Sequence, residues 1–153
     1  MKINVIIIDK KGKDNLYAGL IEHYKKLTKP FAKVEVIEVF DKEIAKAHEI
    51  SPLFAQKSYT KALEKYLDSG INIVLDPKAK GVDSHEFAEL LKDSAQINLY
   101  IGGAYGFERD FISKCNNAVS FGKITLSHKL VKVVLMEQVF RALTINNNHP
   151  YHK

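Results

Sequence analysis

The residue pattern predicts an α/β protein: a mostly parallel sheet with helices flanking both faces. Short β-branched runs alternate along the chain with amphipathic segments of helix length, the arrangement that builds such sheets. The runs at 3–8 and 71–75 are apolar almost throughout, as strands covered on both faces are. With 153 residues, 17.3 kDa and 46% hydrophobic residues, the chain can bury the core of one domain spanning 1–153.

Residues 3–8 form the first strand, closed by Asp9-Lys10. Residues 16–27 place Leu16, Leu20, Ile21, Tyr24 and Leu27 on one helical face, and Pro30 ends that unit. Over 33–40, Val34, Val36, Ile37 and Val39 are interleaved with Lys and Glu, the mark of a half-buried strand. The stretch 43–67 is helical at both ends, with a break at Ser51-Pro52, where proline disfavours helix in the residue before it. A buried strand at 71–75 leads into a turn-rich segment, 76–81. Asp83-Ser84-His85-Glu86 has the spacing of a capping box and opens a helix running to Lys92. A strand at 97–101 runs into the glycine-rich loop 102–107, then come a short helix at 108–116 and a strand near 119–121. The last helix, 128–146, carries Leu130, Val131, Val133, Val134, Leu135, Met136, Val139, Phe140, Leu143 and Ile145 around almost its whole circumference. Such a helix must be covered on more than one side. One face on the sheet and another on a second copy of the chain, about a two-fold axis, meets that need.

Composition excludes several classes. One cysteine, Cys115, rules out an internal disulfide framework and a Cys-based zinc cluster. The apolar start stops at Asp9 without a small-residue cleavage site, and no apolar run approaches the roughly 18 residues of a membrane span. The expectation is a soluble, cytoplasmic protein without membrane or metal partners. The formal charge is +5, and it is unevenly placed. From Ser120 onward Lys123, Lys129, Lys132, Arg141 and Lys153 face a single acid, Glu137, so this segment holds +4 of the total. It is either a solvated helix face with a polar tail or a surface for a polyanion.

Ligands of open α/β sheets bind beyond the carboxyl ends of the strands. Leu75-Asp76, the 102–106 loop and the 122–127 segment fall there. The glycine loop is either a tight turn or a place where backbone N–H groups approach a ligand. It lacks the Gly-Lys-Ser/Thr ending of a phosphate loop, and its Gly-Gly-x-x-Gly order is not the dinucleotide fingerprint. Asp9 and Asp76 at strand ends with Lys123 loosely suggest a phospho-acceptor receiver domain, but Asp9 lacks the second acid that magnesium needs. At the C-terminus, Pro150 stiffens a tail in which Tyr151, His149, His152, Lys153 and Arg141 combine rings that stack on unpaired bases with cations that grip phosphate. A non-catalytic RNA-binding module is one reading of this composition.

The ordered series Ile101-Gly102-Gly103-x-x-Gly106, Thr125-Leu126-Ser127-His128-x-Leu130-Val131, Leu135-x-Glu137-Gln138-Val139-Phe140-Arg141-Ala142 and His149-Pro150-Tyr151-His152-Lys153 resembles the RlmH family. These are SPOUT-superfamily methyltransferases acting on N3 of a pseudouridine in large-subunit (23S) ribosomal RNA. The resemblance covers the whole chain, most densely from Ile71 onward. It implies a C-terminal trefoil knot, a feature that general rules of chain connection argue against. It further implies a homodimer through the last helix and S-adenosylmethionine held by Leu75, Gly103, Gly122, Lys123, Ile124, Thr125, Leu126 and Ser127. Arg141, Tyr151 and His152, with His149 adjacent, would serve the substrate in the assembled ribosome; His152 and His149 are the candidate bases. The chain departs from the family's usual residues at Ala79, at Ala104-Tyr105 (commonly Pro and an acid), at Lys132 (arginine) and at Phe140 (tyrosine).

Overall fold

The computed structural model describes residues 1–12 and 15–153. Its strands are β1 (Lys2–Ile8), β2 (Lys33–Val39), β3 (Ile71–Gly81), β4 (Gln96–Ile101) and β5 (Asn117–Ser120). Its helices are α1 (Asn15–Thr28), α2 (Lys42–Ile50), α3 (Pro52–Leu63), α4 (Ser84–Leu90), α5 (Arg109–Lys114) and α6 (His128–Asn146). The strands lie in the order β2-β1-β4-β3-β5, and every pairing is parallel. The predicted α/β architecture is therefore observed. Alternate residues of β1 feed two cores. Ile3, Val5 and Ile7 join Ile21 of α1, Phe87 of α4 and Leu135, Met136 and Val139 of α6. Ile6 and Ile8 join Ile44 of α2, Ala55, Tyr59 and Leu63 of α3, and Phe111 of α5.

Local sequence explains where the elements begin. Ser51 closes α2 with its backbone N–H on the Ala47 carbonyl and opens α3 by accepting from the Phe54 N–H; Pro52 sits in the first turn, where its missing donor costs nothing. Asp83 and Glu86 form the expected capping box. On the sheet face that carries the second core runs a row of asparagines that the pattern of strands did not reveal. Asn4, Asn98 and Asn72 are register partners on adjacent strands, and Asn4 donates to Asn98 and Asn98 to Asn72, at 2.8 and 3.0 Å. Tyr100 Oη donates to the same Asn72 oxygen at 2.7 Å, so the row is linked across three strands, while Asn4 Oδ1 at its end finds no hydrogen-bond partner among the described residues.

Several boundaries differ from expectation. The segment 76–81 continues β3 instead of forming a separate turn: its pairing with β5 jumps from Leu75 to Lys80, so the residues between bulge out of the ladder. Pro77, which could not donate in a regular ladder, falls in that bulge. The fifth strand starts and ends slightly earlier than expected, and α5 is shorter. On α1, Ile21 is buried, but Leu16 is 77% and Leu20 46% exposed; the packing face is narrower than the apolar arc. On α6, the sheet, α1 and α4 together cover most of the circumference. An outer stripe of Leu130, Val133, Val134, Glu137 and Arg141 is left incompletely buried. Lys132, only 4% exposed, reaches from α6 to Glu38 of β2 at 3.2 Å.

Candidate active site

Three segments meet beyond the carboxyl end of the sheet: the start of the β3 bulge, the loop after β4 and the loop after β5. They enclose a cleft of about 330 Å³. Leu75, Gly103, Gly122, Ile124, Thr125, Leu126 and Ser127 all line it, so the structure brings these predicted residues together; Lys123 is exposed and is not part of the wall. Two glycines are required by geometry. A Cβ on Gly103 would stand 2.8 Å from Tyr59 Oη and 2.9 Å from Ile8 Cγ2. Gly122 has φ +134°, a region essentially closed to other residues, and is held by Ser120 Oγ through both its N–H and its carbonyl. Ile124 and Leu126 face the cleft while 79% and 40% exposed, an apolar wall that a planar apolar group would cover.

The glycine loop is braced from α2 and α3. The Tyr105 ring packs edge-on against His48 at 5.2 Å, and the Tyr105 carbonyl accepts from Gln56 Nε2 at 2.8 Å. Behind it Tyr59 Oη shares a hydrogen bond with His48 Nε2, and burial pushes the Tyr59 phenol up to about 12. The departure at Ala104-Tyr105 thus has its own support in this chain. At the cleft mouth, His128 at the start of α6 places Nε2 3.3 Å from Oδ1 of the buried Asp9, which follows β1; Lys129 Nζ lies 3.4 Å from the other oxygen. Asp9 is thus engaged by two basic side chains.

A second cluster gathers around Glu137. Arg141, one turn on, donates from Nε and Nη2 to Glu137 Oε1 at 3.0 and 2.6 Å. Tyr151 Oη donates to the same oxygen at 3.1 Å, and the Arg141 guanidinium lies 4.8 Å above the Tyr151 ring. The Glu137 carboxylate holds Arg141 above its ordinary value; burial, and then Glu137, hold the Tyr151 phenol up. Arg141 Nη1 is 3.1 Å from His152 Nδ1. A guanidinium only donates, so Nδ1 accepts and the neutral ring carries its proton on Nε2. His85 of α4 stands perpendicular to His152 at 4.8 Å. His149 is apart from this group, against Phe31 at 5.9 Å, with its backbone N–H on the Thr144 carbonyl.

The cleft and the cluster lie at opposite ends of one molecule. His128 contacts the residue after β1, whereas Phe140 and His149 contact Phe31, just before β2. Along α6, His128 and Arg141 are separated by about 20 Å. The sequence points to Arg141, Tyr151 and His152 but assigns no site role to Glu137 or His85, and it offers Asp9 only as a loose phospho-acceptor candidate, not as a partner of His128. The four-residue spacing of Glu137 and Arg141 on a helix was the available signal for the first; the other two are brought in by tertiary packing.

The family model described as "Predicted SPOUT methyltransferase" matches residues 1–152. A relative from Sulfurovum sp. (strain NBC37-1), named "Ribosomal RNA large subunit methyltransferase H", is 83% identical over 100% of both chains. Relatives of the same name from Wolinella succinogenes and Aliarcobacter butzleri are each 44% identical, again over 100% of both chains. Among solved structures, a chain described as "a probable methylase family protein from Haemophilus influenzae Rd KW20" superposes with a TM-score of 0.58 at 14% identity, covering 99% of this chain and 70% of its own, a likeness of fold.

Proposed function

The chain belongs to the SPOUT methyltransferase family, and on that premise we propose that it methylates N3 of a pseudouridine in 23S ribosomal RNA, taking the methyl group from S-adenosylmethionine. The substrate is the assembled ribosome in the cytoplasm, and the working unit is a homodimer. The observation that carries this reading is the convergence of Leu75, Gly103 and residues 122–127 on one cleft, in a chain whose relatives are named for this activity. The cleft suits the donor. Its volume lies at the small-ligand end of ordinary binding sites, and Ile124 and Leu126 offer an apolar wall to a nucleobase. Gly103 lets the loop backbone lie close against Ile8 and Tyr59.

S-adenosylmethionine supplies an activated methyl group on a sulfonium, so no metal is needed. The protein's part is to align the acceptor nitrogen and to support the negative charge left when it loses its proton. Arg141, fixed by Glu137, and the Nε2–H of His152 are donors suited to the ring oxygens, and Tyr151 offers a face for stacking. Because its Nδ1 is occupied by Arg141, His152 acts as a donor in this arrangement, not as the base. One copy cannot bring these groups to its own cleft across about 20 Å of rigid helix. The incompletely buried stripe of α6 supports pairing of two copies, with the tail of one facing the cleft of the other.

The test is a thermal shift with S-adenosylmethionine, followed by methylation of ribosomes lacking the mark and mass spectrometry of the modified nucleoside. A rise in melting temperature and a gain of one methyl on pseudouridine are expected. RNA binding without either would make the chain a non-catalytic module.

A further inference from the structure

We propose that His128, oriented by Asp9, takes the proton from the acceptor nitrogen; this rests on the methyltransferase reading above. With Nδ1 of His152 engaged by Arg141 and His149 turned onto Phe31, neither tail imidazole is placed as a base. His128 is the imidazole that lines the cleft. It is half-buried at the first position of α6, and its Nε2 faces the Asp9 carboxylate at 3.3 Å. A fixed carboxylate on one ring nitrogen favours the proton there and leaves Nδ1 with a free electron pair, the logic by which an acid orients a catalytic histidine. The groups at this pair are Lys129 from α6, whose Nζ lies 3.4 Å from Oδ2 of Asp9, and the Lys10 backbone N–H, which donates to Oδ1 at 2.9 Å. Asp9 is buried, so its charge is fixed in direction and poorly screened by solvent.

The step balances simply. The N–H bond of the ring breaks and its proton goes to His128 Nδ1. The electron pair left on nitrogen forms the new N–C bond as the C–S bond of the donor breaks, and the C–S bonding pair leaves with sulfur as a neutral thioether. The imidazolium is stabilised by Asp9 until it returns its proton to solvent. His128 needs no movement of the fold to do this, because it already stands at the mouth of the cleft.

Three measurements on the full-length protein test it. In nitrogen-15 spectra of labelled histidine, His128 shows the Nε2–H tautomer, and Asp9→Asn converts it to a mixture. Calorimetry gives His128→Gln an S-adenosylmethionine affinity within about threefold of the unaltered protein. Single-turnover methylation of ribosomes by His128→Gln falls by about 100-fold or more near neutral pH and climbs with hydroxide concentration as solvent takes over the proton. A rate within threefold of the unaltered protein overturns the proposal, and so does an Nδ1–H tautomer. Loss of donor affinity in step with rate also overturns it, making His128 part of the donor's seat. An unaltered protein that neither binds the donor nor methylates would instead defeat the methyltransferase reading itself.

Discussion

Gly103 has a buried phenol and an isoleucine where any side chain would begin, 2.8 and 2.9 Å from an ideal Cβ. Gly103→Ala must push the loop into the cleft or displace Tyr59. We expect donor affinity to fall at least about tenfold and stability by about 1–3 kcal/mol, read by calorimetry and thermal melting. Arg141→Ala acts at the other end of the molecule, so it should abolish methylation while donor affinity stays near normal. Lost affinity in that variant would refute the division of roles. Cys115 offers a check on burial: its thiol is pushed up to about 12, so the reactive thiolate is suppressed until pH approaches that value. Labelling by a thiol reagent at pH 8 should be at least about 100-fold slower in the native than in the denatured protein. The glycine loops and the basic, aromatic tail were legible because their chemistry lies in contiguous residues. Asp9 beside His128, and Arg141 occupying Nδ1 of His152, were not, because those partners meet only when sheet, helix and tail are assembled.

The elements were read most reliably where a local rule fixes a boundary. Ser51-Pro52 and the Asp83–Glu86 box act through backbone groups within a few residues, and both helix starts fall where expected, although α4 stops at Leu90 and not at Lys92. Asp83→Ala should therefore cost about 1 kcal/mol in a denaturation curve, with the fold unchanged. The bulge in β3 could not be read this way, since Asp76, Pro77 and Gly81 mark an irregular backbone equally well in a loop or a distorted strand. Only pairing with β5 decides between them. The same holds for Leu16 and Leu20, whose exposure follows from how α1 settles beside α6 and not from the period of its residues. Asn98 was hidden inside an apolar strand, yet it ties β1, β3 and the turn at Tyr66 and Ser69 together: its Oδ1 accepts from Asn4, and its two Nδ2 hydrogens are shared among the Tyr66 and Ser69 carbonyls and Asn72 Oδ1. Asn98→Ala leaves buried polar groups unpaired and should destabilise by about 2–4 kcal/mol, more than the capping change.

At the scale of the whole molecule, the cleft proposed for the donor and the Glu137–Arg141–Tyr151–His152 cluster are well formed but distant, and α6 is the strut that separates them. Pairing two copies along the open stripe of that helix would let each cluster serve the other's cleft. The +4 carried by the C-terminal residues would then be brought beside the place where the RNA must enter. The most direct measurement is complementation in mixed dimers: Arg141→Ala chains are combined with Leu126→Trp chains, whose clefts are filled. Each parent should be inactive alone. If every working site draws its cleft from one copy and its tail from the other, random mixing should restore about a quarter of the normal methylation rate. A mixture as inactive as its parents would contradict the account, placing cleft and tail of each site within a single chain.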